Sequence, residues 1–162
     1  MIAEYVLLAG RIRRELTDLE RAVVRAERAA RVAQNETADS QLYIDAAALN
    51  LHGFYTGLER AFQQIAEIVD ESIPAGAEWH RALLEQMCIE FPEVRPAVLS
   101  SATCQGLSEF MRFRHVVRNV YTYNLNPDRV MQLVEDCARL FSQVKVELSQ
   151  FGLFLEQIGG EE

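Results

Sequence analysis

Apolar residues recur at helical spacing along almost the whole chain. Over residues 2 to about 34, Tyr5, Ile12, Leu16, Leu19, Val23, Ala26 and Ala30 follow at steps of seven, three or four, which lays them on one stripe of a long helix. The opposite face carries Arg13, Arg14, Asp18, Glu20, Arg21, Arg25, Glu27 and Arg28, a mixed-sign surface suited to water. Asn35, Thr37, Asp39 and Ser40 then form a polar break rich in cap-forming side chains. A second stripe runs through Tyr43, Ala47, Phe54, Leu58, Phe62, Ile65 and Val69, and Pro74 and Gly76 end it. A short helix is predicted over residues 78–89, with Trp79, Leu83, Leu84 and Met87 inward, before Pro92 and Pro96 break the chain again. Ser100 and Ser101 can cap a fourth helix that continues through Leu107, Phe110, Phe113 and Val120. The fifth has the clearest start, because Asn126 can cap it while Pro127 takes the first helical position, where a missing N–H costs nothing. Its stripe is Val130, Leu133, Val134, Cys137, Leu140, Phe141, Val144, Leu148, Phe151 and Leu155, and Gly159 and Gly160 stop it. No stretch alternates with period two for long enough to build a sheet. The prediction is an all-α fold, an antiparallel up-and-down bundle of four long helices plus one short helix, forming a single domain over residues 1–162.

Composition narrows the class. With 49% hydrophobic and 25% charged residues, 8 Gly and 4 Pro, the 162-residue chain is neither disordered nor fibrous. No apolar run approaches the roughly 18–20 residues of a membrane span, and residues 1–14 lack the apolar block and small-residue site of a secretory signal. The expected location is therefore cytoplasmic, with no membrane partner. Cys88, Cys104 and Cys137 are odd in number, far apart and in apolar neighbourhoods, so they are expected to be small core residues and neither ligands nor a disulfide. Metal-site spacing, a phosphate-cradling glycine loop, a Gly-Ser dipeptide and a nucleophile elbow are all missing, so no metal and no cofactor are expected.

Charge supplies the first functional signal. The chain carries a formal net charge of -8, a balance unsuited to coating nucleic acid through bulk attraction. Yet residues 112–129 hold four Arg and one Asp, a local +3 that leaves -11 for everything else. On a wheel of about 100° per residue, Phe113, Val116, Val117, Val120 and Tyr123 share an inward arc. Arg112, Arg114, His115, Arg118, Asn119, Tyr121 and Thr122 fill the other half. Guanidinium forks donate paired hydrogen bonds to phosphate, and an imidazole exchanges protons near neutral pH. Such a set can cleave RNA without a metal, a base taking the 2′-hydroxyl proton while Arg stabilises charge on phosphorus. The same face could equally dock on an acidic partner or on the chain's own acidic flank.

The stretch Phe113-Arg114-His115-Val116-Val117-Arg118-Asn119-Val120-Tyr121, followed by Asn126-Pro127-Asp128-Arg129-Val130, resembles the signature helix of HEPN-domain proteins, in particular the HepT-like toxins. The run from Leu51-His52-Gly53-Phe54-Tyr55 to Glu59-Arg60-Ala61-Phe62 is similar to their second helix, and Pro74-Ala75-Gly76-Ala77-Glu78-Trp79-His80 is similar to a segment of HepT-like relatives. The family motif is an Arg, usually followed by a polar residue, then a His four to six positions on, a free residue and a Tyr. Here Asn119 stands where the family has its His, and His115 occupies the place beside the Arg where many relatives have Asn. Asn cannot exchange a proton at working pH. His115 lies about 40° from Asn119 and one turn back, so it is expected to bring the imidazole to the same cleft.

The resemblance implies a homodimer whose signature helices face each other across a basic cleft, cutting RNA to a cyclic phosphate end. The residues so implicated are Arg114, His115, Asn119 and Tyr121 for catalysis, and Arg112 and Arg118 for RNA phosphate. It also implies a partner, a nucleotidyltransferase antitoxin that silences the toxin by transferring AMP to the motif Tyr, here Tyr121; Tyr123 is the runner-up acceptor, which the wheel turns toward the core. Glu59 could pair with an Arg of the signature helix and orient it, or be a solvated helix acid. Trp79 anchors the short helix, and neither His80 beside it nor His52 is placed among the site residues. The alternative reading is a catalytically inactive HEPN module retained as a scaffold for a nucleotidyltransferase.

Overall fold

The computed structural model describes residues 2–35, 38–120 and 125–161, and for residues 2 and 113–120 the backbone only. Among the described residues five helices follow in chain order: α1 (Ile2–Asn35), α2 (Ser40–Ile68), α3 (Trp79–Met87), α4 (Ser101–Val120) and α5 (Pro127–Gly160). Among the described residues there is no strand, only an isolated bridge between Phe91 and Arg95. The fold is the all-α helical bundle anticipated from periodicity, with four long helices and one short.

α1 and α2 form an antiparallel hairpin. Arg60 of α2 reaches Glu15 of α1 at 3.1 Å, and the helices approach so closely that a Cβ on Gly57 would lie 2.7 Å from both Glu15 Oε1 and Leu19 Cδ2. α5 runs back along α1, tied by Arg13 to Glu156 near one end and by Lys145 to Glu20 at 3.3 Å further along. Arg13 is thus an ion-pair partner on a face expected to be merely solvated. The core fills the space between, with Leu8, Ile12 and Leu19 of α1, Leu51, Phe54 and Leu58 of α2, and Val144, Leu148 and Leu155 of α5 nearly inaccessible.

Helix ends follow local chemistry. Asn126 Oδ1 accepts from the backbone N–H of Asp128 at 3.0 Å and of Arg129 at 3.3 Å, the capping anticipated for α5. Ser100 Oγ likewise accepts from Thr103 N at 3.3 Å to cap α4. Asp39 behaves differently: it stands at the N-cap of α2 but makes no side-chain cap, and its carbonyl accepts from Leu42 N at 3.0 Å. α2 also stops before Pro74, because Glu71 turns left-handed at φ 50° and Ser72 N reaches back to Ala66 O at 3.0 Å. Tyr43, expected inward, is 36% exposed, since Ile44 leads the buried stripe instead.

The cysteine expectation needs correction. Cys137 is a free, buried core residue, but Cys88 and Cys104 are joined in a disulfide. Cys88 ends α3 and Cys104 lies in the first turn of α4, and the intervening loop folds back until their Cα atoms are 6.1 Å apart. That loop is pinned by Arg95, whose side chain is fully buried against Asp70: Nε meets Oδ1 at 2.5 Å and Nη2 meets Oδ2 at 2.7 Å. The remaining guanidinium donors reach the carbonyls of Ile89, Pro96 and Gln86, each at 3.0 Å. Among the described residues no helix is long and apolar enough to cross a membrane.

Candidate functional site

Positions 112–120 of the basic segment, with three of its four Arg, lie on the C-terminal half of α4, so the way α4 is held decides where they sit. Its N-terminus is fastened to α5 by Glu147, whose carboxylate accepts from Ser100 N and from the hydroxyl of the buried Thr103. A carboxylate at this end also complements the positive end of the helix dipole. Further along, Phe110 packs on α2 edge-on to Phe54, with centroids 5.7 Å apart, and stacked on Tyr55 at 6.2 Å. The disulfide clamps the first turn of α4 to the end of α3. Three neighbours thus fix the helix one turn before Arg114.

Arg112 lies on α4 and is exposed, on the outward half where the wheel puts it. Arg114, His115, Arg118 and Asn119 fall on the α4 backbone, but their side chains lie outside the described residues, as do those of Phe113, Val116, Val117 and Val120. Tyr121, Thr122 and Tyr123 lie outside the described residues altogether.

Glu59 is not the solvated acid that was one of its two readings. It is 4% exposed, on the stripe of α2 shared by Tyr55, Leu58 and Phe62, and its Oε2 meets His80 Nδ1. Burying a carboxylate is costly unless it is paired, which is what His80 provides. The imidazole retains about a fifth of its side-chain surface, 22%, and lies against the Trp79 ring with centroids 3.4 Å apart. A carboxylate accepts from the Nδ1–H, which sets the ring tautomer and leaves Nε2 as the proton-exchanging nitrogen. Sequence reading set His80 aside, although one sign of the dyad was visible: Glu59 sits at apolar-stripe spacing from Tyr55 and Phe62.

A second cleft opens between α4 and α5, lined by Gly106, Glu109, Phe110, Arg129, Leu133 and Arg139 among others. Arg129 is exposed at its mouth, whereas Arg139 is engaged by Asp136 at 2.7 Å. Glu109 and Asp136 line the same cleft, so its two Arg are matched by two acids. No group of three or more possible metal ligands occurs among the described residues. Cys137 is a poor nucleophile: burial pushes its thiol far above the ordinary range, and the carboxylates of Glu27 and Asp136 push the same way.

Comparison with family models matches residues 46–155 to the HepT-like protein family, the span that contains the Glu59–His80 pair, α4 and most of α5. This chain is a member of the HepT-like family. No curated protein and no solved structure matches it. As a HepT-like protein, it carries the basic segment of α4 and, between α2 and α3, a buried carboxylate–imidazole pair.

Proposed function

We propose that this HepT-like protein is a ribonuclease toxin that cuts RNA without a metal, in a cleft between two copies of itself. The observation that carries the reading is the +3 segment on α4 of an otherwise acidic HepT-like chain, with Arg114, His115 and Tyr121 in motif order. In this mechanism Arg112 and Arg118 hold the RNA backbone as charge-assisted donors, and Arg114 stabilises the extra negative charge that builds on phosphorus during attack. His115 exchanges a proton with the reacting oxygens, and Asn119 contributes a hydrogen bond but no proton. The acidic remainder of the surface repels RNA elsewhere and confines it to the cleft. Glu59 orients this machinery from α2. The partner in the cell is a nucleotidyltransferase antitoxin, and AMP on the Tyr121 hydroxyl places a bulky phosphodiester where the substrate phosphate binds.

The test is incubation of the purified protein with total RNA in chelator, comparing wild type with Arg114→Ala. Cleavage that disappears in the variant supports the enzyme. Absence of cleavage by the wild-type protein favours the second reading, an inactive HEPN scaffold, which draws its support from Asn119 at the position of the motif His.

A further inference from the structure

The Cys88–Cys104 disulfide is not sealed in the core. Both cysteines are half-buried and stand in the wall of an open cleft between α3 and α4, with Arg81 and Leu84 on one side and Ser108 and Met111 on the other. A sulfur in such a wall can be reached by a small thiol, whereas Cys137, buried in the core, is shielded. The chain also holds the two sulfur-bearing segments together by means other than the bond. Val98 N and Leu99 N both donate to the carbonyl of Met87, the residue before Cys88, at 3.0 and 3.1 Å. Arg95, locked to Asp70, donates to the Gln86 carbonyl at 3.0 Å, and Ser100 caps α4 just before Cys104. Opening the bond therefore leaves two thiols in register, each at a high effective concentration for the other.

The two sulfurs are not equivalent. In thiol–disulfide exchange a thiolate attacks one sulfur while the other leaves as a thiolate, and the better-stabilised thiolate leaves faster. Cys88 Sγ lies 2.9 Å from the carbonyl oxygen of Leu84, at the C-terminal end of α3. An anion there would face the negative ends of the last carbonyls, while a thiol can donate to them. Cys104 lies in the first turn of α4, where the positive end of the helix favours an anion. The Glu147 carboxylate at this end is taken up by Ser100 N and the Thr103 hydroxyl.

We propose that the Cys88–Cys104 pair is a reversible thiol–disulfide exchange site for a low-molecular-weight thiol, with Cys88 as the sulfur attacked and Cys104 as the leaving thiolate. The thiolate of the small molecule enters the cleft and bonds to Cys88 Sγ as the protein S–S bond breaks. Cys104 departs with the electron pair and takes a proton from water. A second small thiolate then attacks the small molecule's sulfur in the mixed disulfide, and Cys88 leaves as a thiolate and is protonated. Two small thiols are thus oxidised to their disulfide for each protein disulfide reduced. Run backwards, the small-molecule disulfide first caps Cys88, and the Cys104 thiolate closes on it to restore the bond. Exchange frees the end of α3 from the start of α4 and leaves the hydrogen bonds of the intervening loop in place. The inference stands apart from the ribonuclease reading, since it involves neither RNA nor the basic half of α4.

The experiment holds the folded full chain in buffers of reduced and oxidised glutathione, quenches with N-ethylmaleimide and locates labels and glutathione by mass spectrometry, with circular dichroism as the check on folding. The pair should open in excess reduced glutathione and reclose in the disulfide form with the helical signal kept, while Cys137 stays unlabelled. Early in the reduction, glutathione should be found on Cys88 and the maleimide on Cys104. In Cys88→Ser and Cys104→Ser, each checked for folding, the thiol left at position 104 should react with iodoacetamide about fivefold faster than the one left at position 88. A bond that a large excess of reduced glutathione leaves intact until denaturant is added overturns the proposal, as does a folded, reduced protein that fails to reclose. Glutathione on Cys104 with the label on Cys88, or a faster thiol at position 88, overturns the assignment of the two roles.

Discussion

Removing the carboxylate of Asp70 tests whether the loop ahead of α4 is held by one buried ion pair. Both side chains are fully inaccessible, and Arg95 distributes its five N–H donors over two carboxylate oxygens and the carbonyls of Ile89, Pro96 and Gln86. Gln86 Nε2 also donates to Asp70 Oδ2 at 2.7 Å and to Ser72 O at 2.9 Å, so Asp70→Ala would strand a buried guanidinium and take one of two acceptors from the amide. Stranding one member of a buried pair costs about 3–5 kcal/mol, against about 0–1 kcal/mol for an exposed pair. At about 2–4 °C of Tm per kcal/mol for a domain of this size, the variant should melt about 6–20 °C lower. Urea denaturation gives the free energy directly, and a cycle with Arg95→Met isolates the coupling, expected at about 2 kcal/mol. The reasoning fails if Asp70→Ala costs under about 1 kcal/mol, since the pair would then behave as though water already screened it.

Other expectations follow from single contacts. Reducing the Cys88–Cys104 bond, which spans a separation of 16 residues, should cost about 3 kcal/mol by loop-closure entropy. A Tm unchanged by reductant would count against a stabilising role for that clamp. Thr103→Val removes the hydroxyl that the buried end of α4 donates to Glu147 and should cost about 1–3 kcal/mol in urea titration, more than Thr17→Val on the exposed face of α1. Cys137 contributes a pH dependence of known sign. Burial raises its pKa in the folded state, so the unfolded chain gives up the thiol proton first. Stability from this group is full below the unfolded thiol value of about 8.5 and falls as pH rises past it. Cys137→Ala should flatten that alkaline decline in melts taken between roughly pH 8 and 10, and an identical slope in both proteins would refute the assignment.

Helices proved more legible than their connections, for a physical reason. A stripe such as Val130, Leu133, Val134, Cys137 and Leu140 reports burial residue by residue, and all five are buried. Asn126 and Pro127 announce a helix start through purely local bonding. What ends α2 is a left-handed residue, Glu71, with no sequence mark, and the pairing of Cys88 with Cys104 depends on how the loop pinned by Arg95 returns. The candidate site divides in the same way. The Arg and His of α4 stand out because they break the charge balance of the chain, and Arg112 is exposed as their periodicity demands. The partnership of Glu59 with His80 crosses 21 positions and two helices, so only the odd placement of an acid on an apolar stripe hinted at it.

The pairing of α1 with α5 governs how the chain must fold. Its contacts join residues 125 and 143 positions apart, from Lys145 to Glu20 and from Arg13 to Glu156, whereas α1 and α2 meet through contacts such as Arg60–Glu15, 45 positions apart. Closing a longer loop costs more chain entropy before any contact repays it, and non-local pairings slow folding accordingly. The α1–α2 hairpin is thus the natural nucleus, and a ribosome delivers it whole before the last helix is made. Until α5 arrives, the apolar stripe of α1 from Leu8 to Ala30 is half covered, so the newly made chain passes through a stage in which its longest sticky surface awaits its own C-terminal helix.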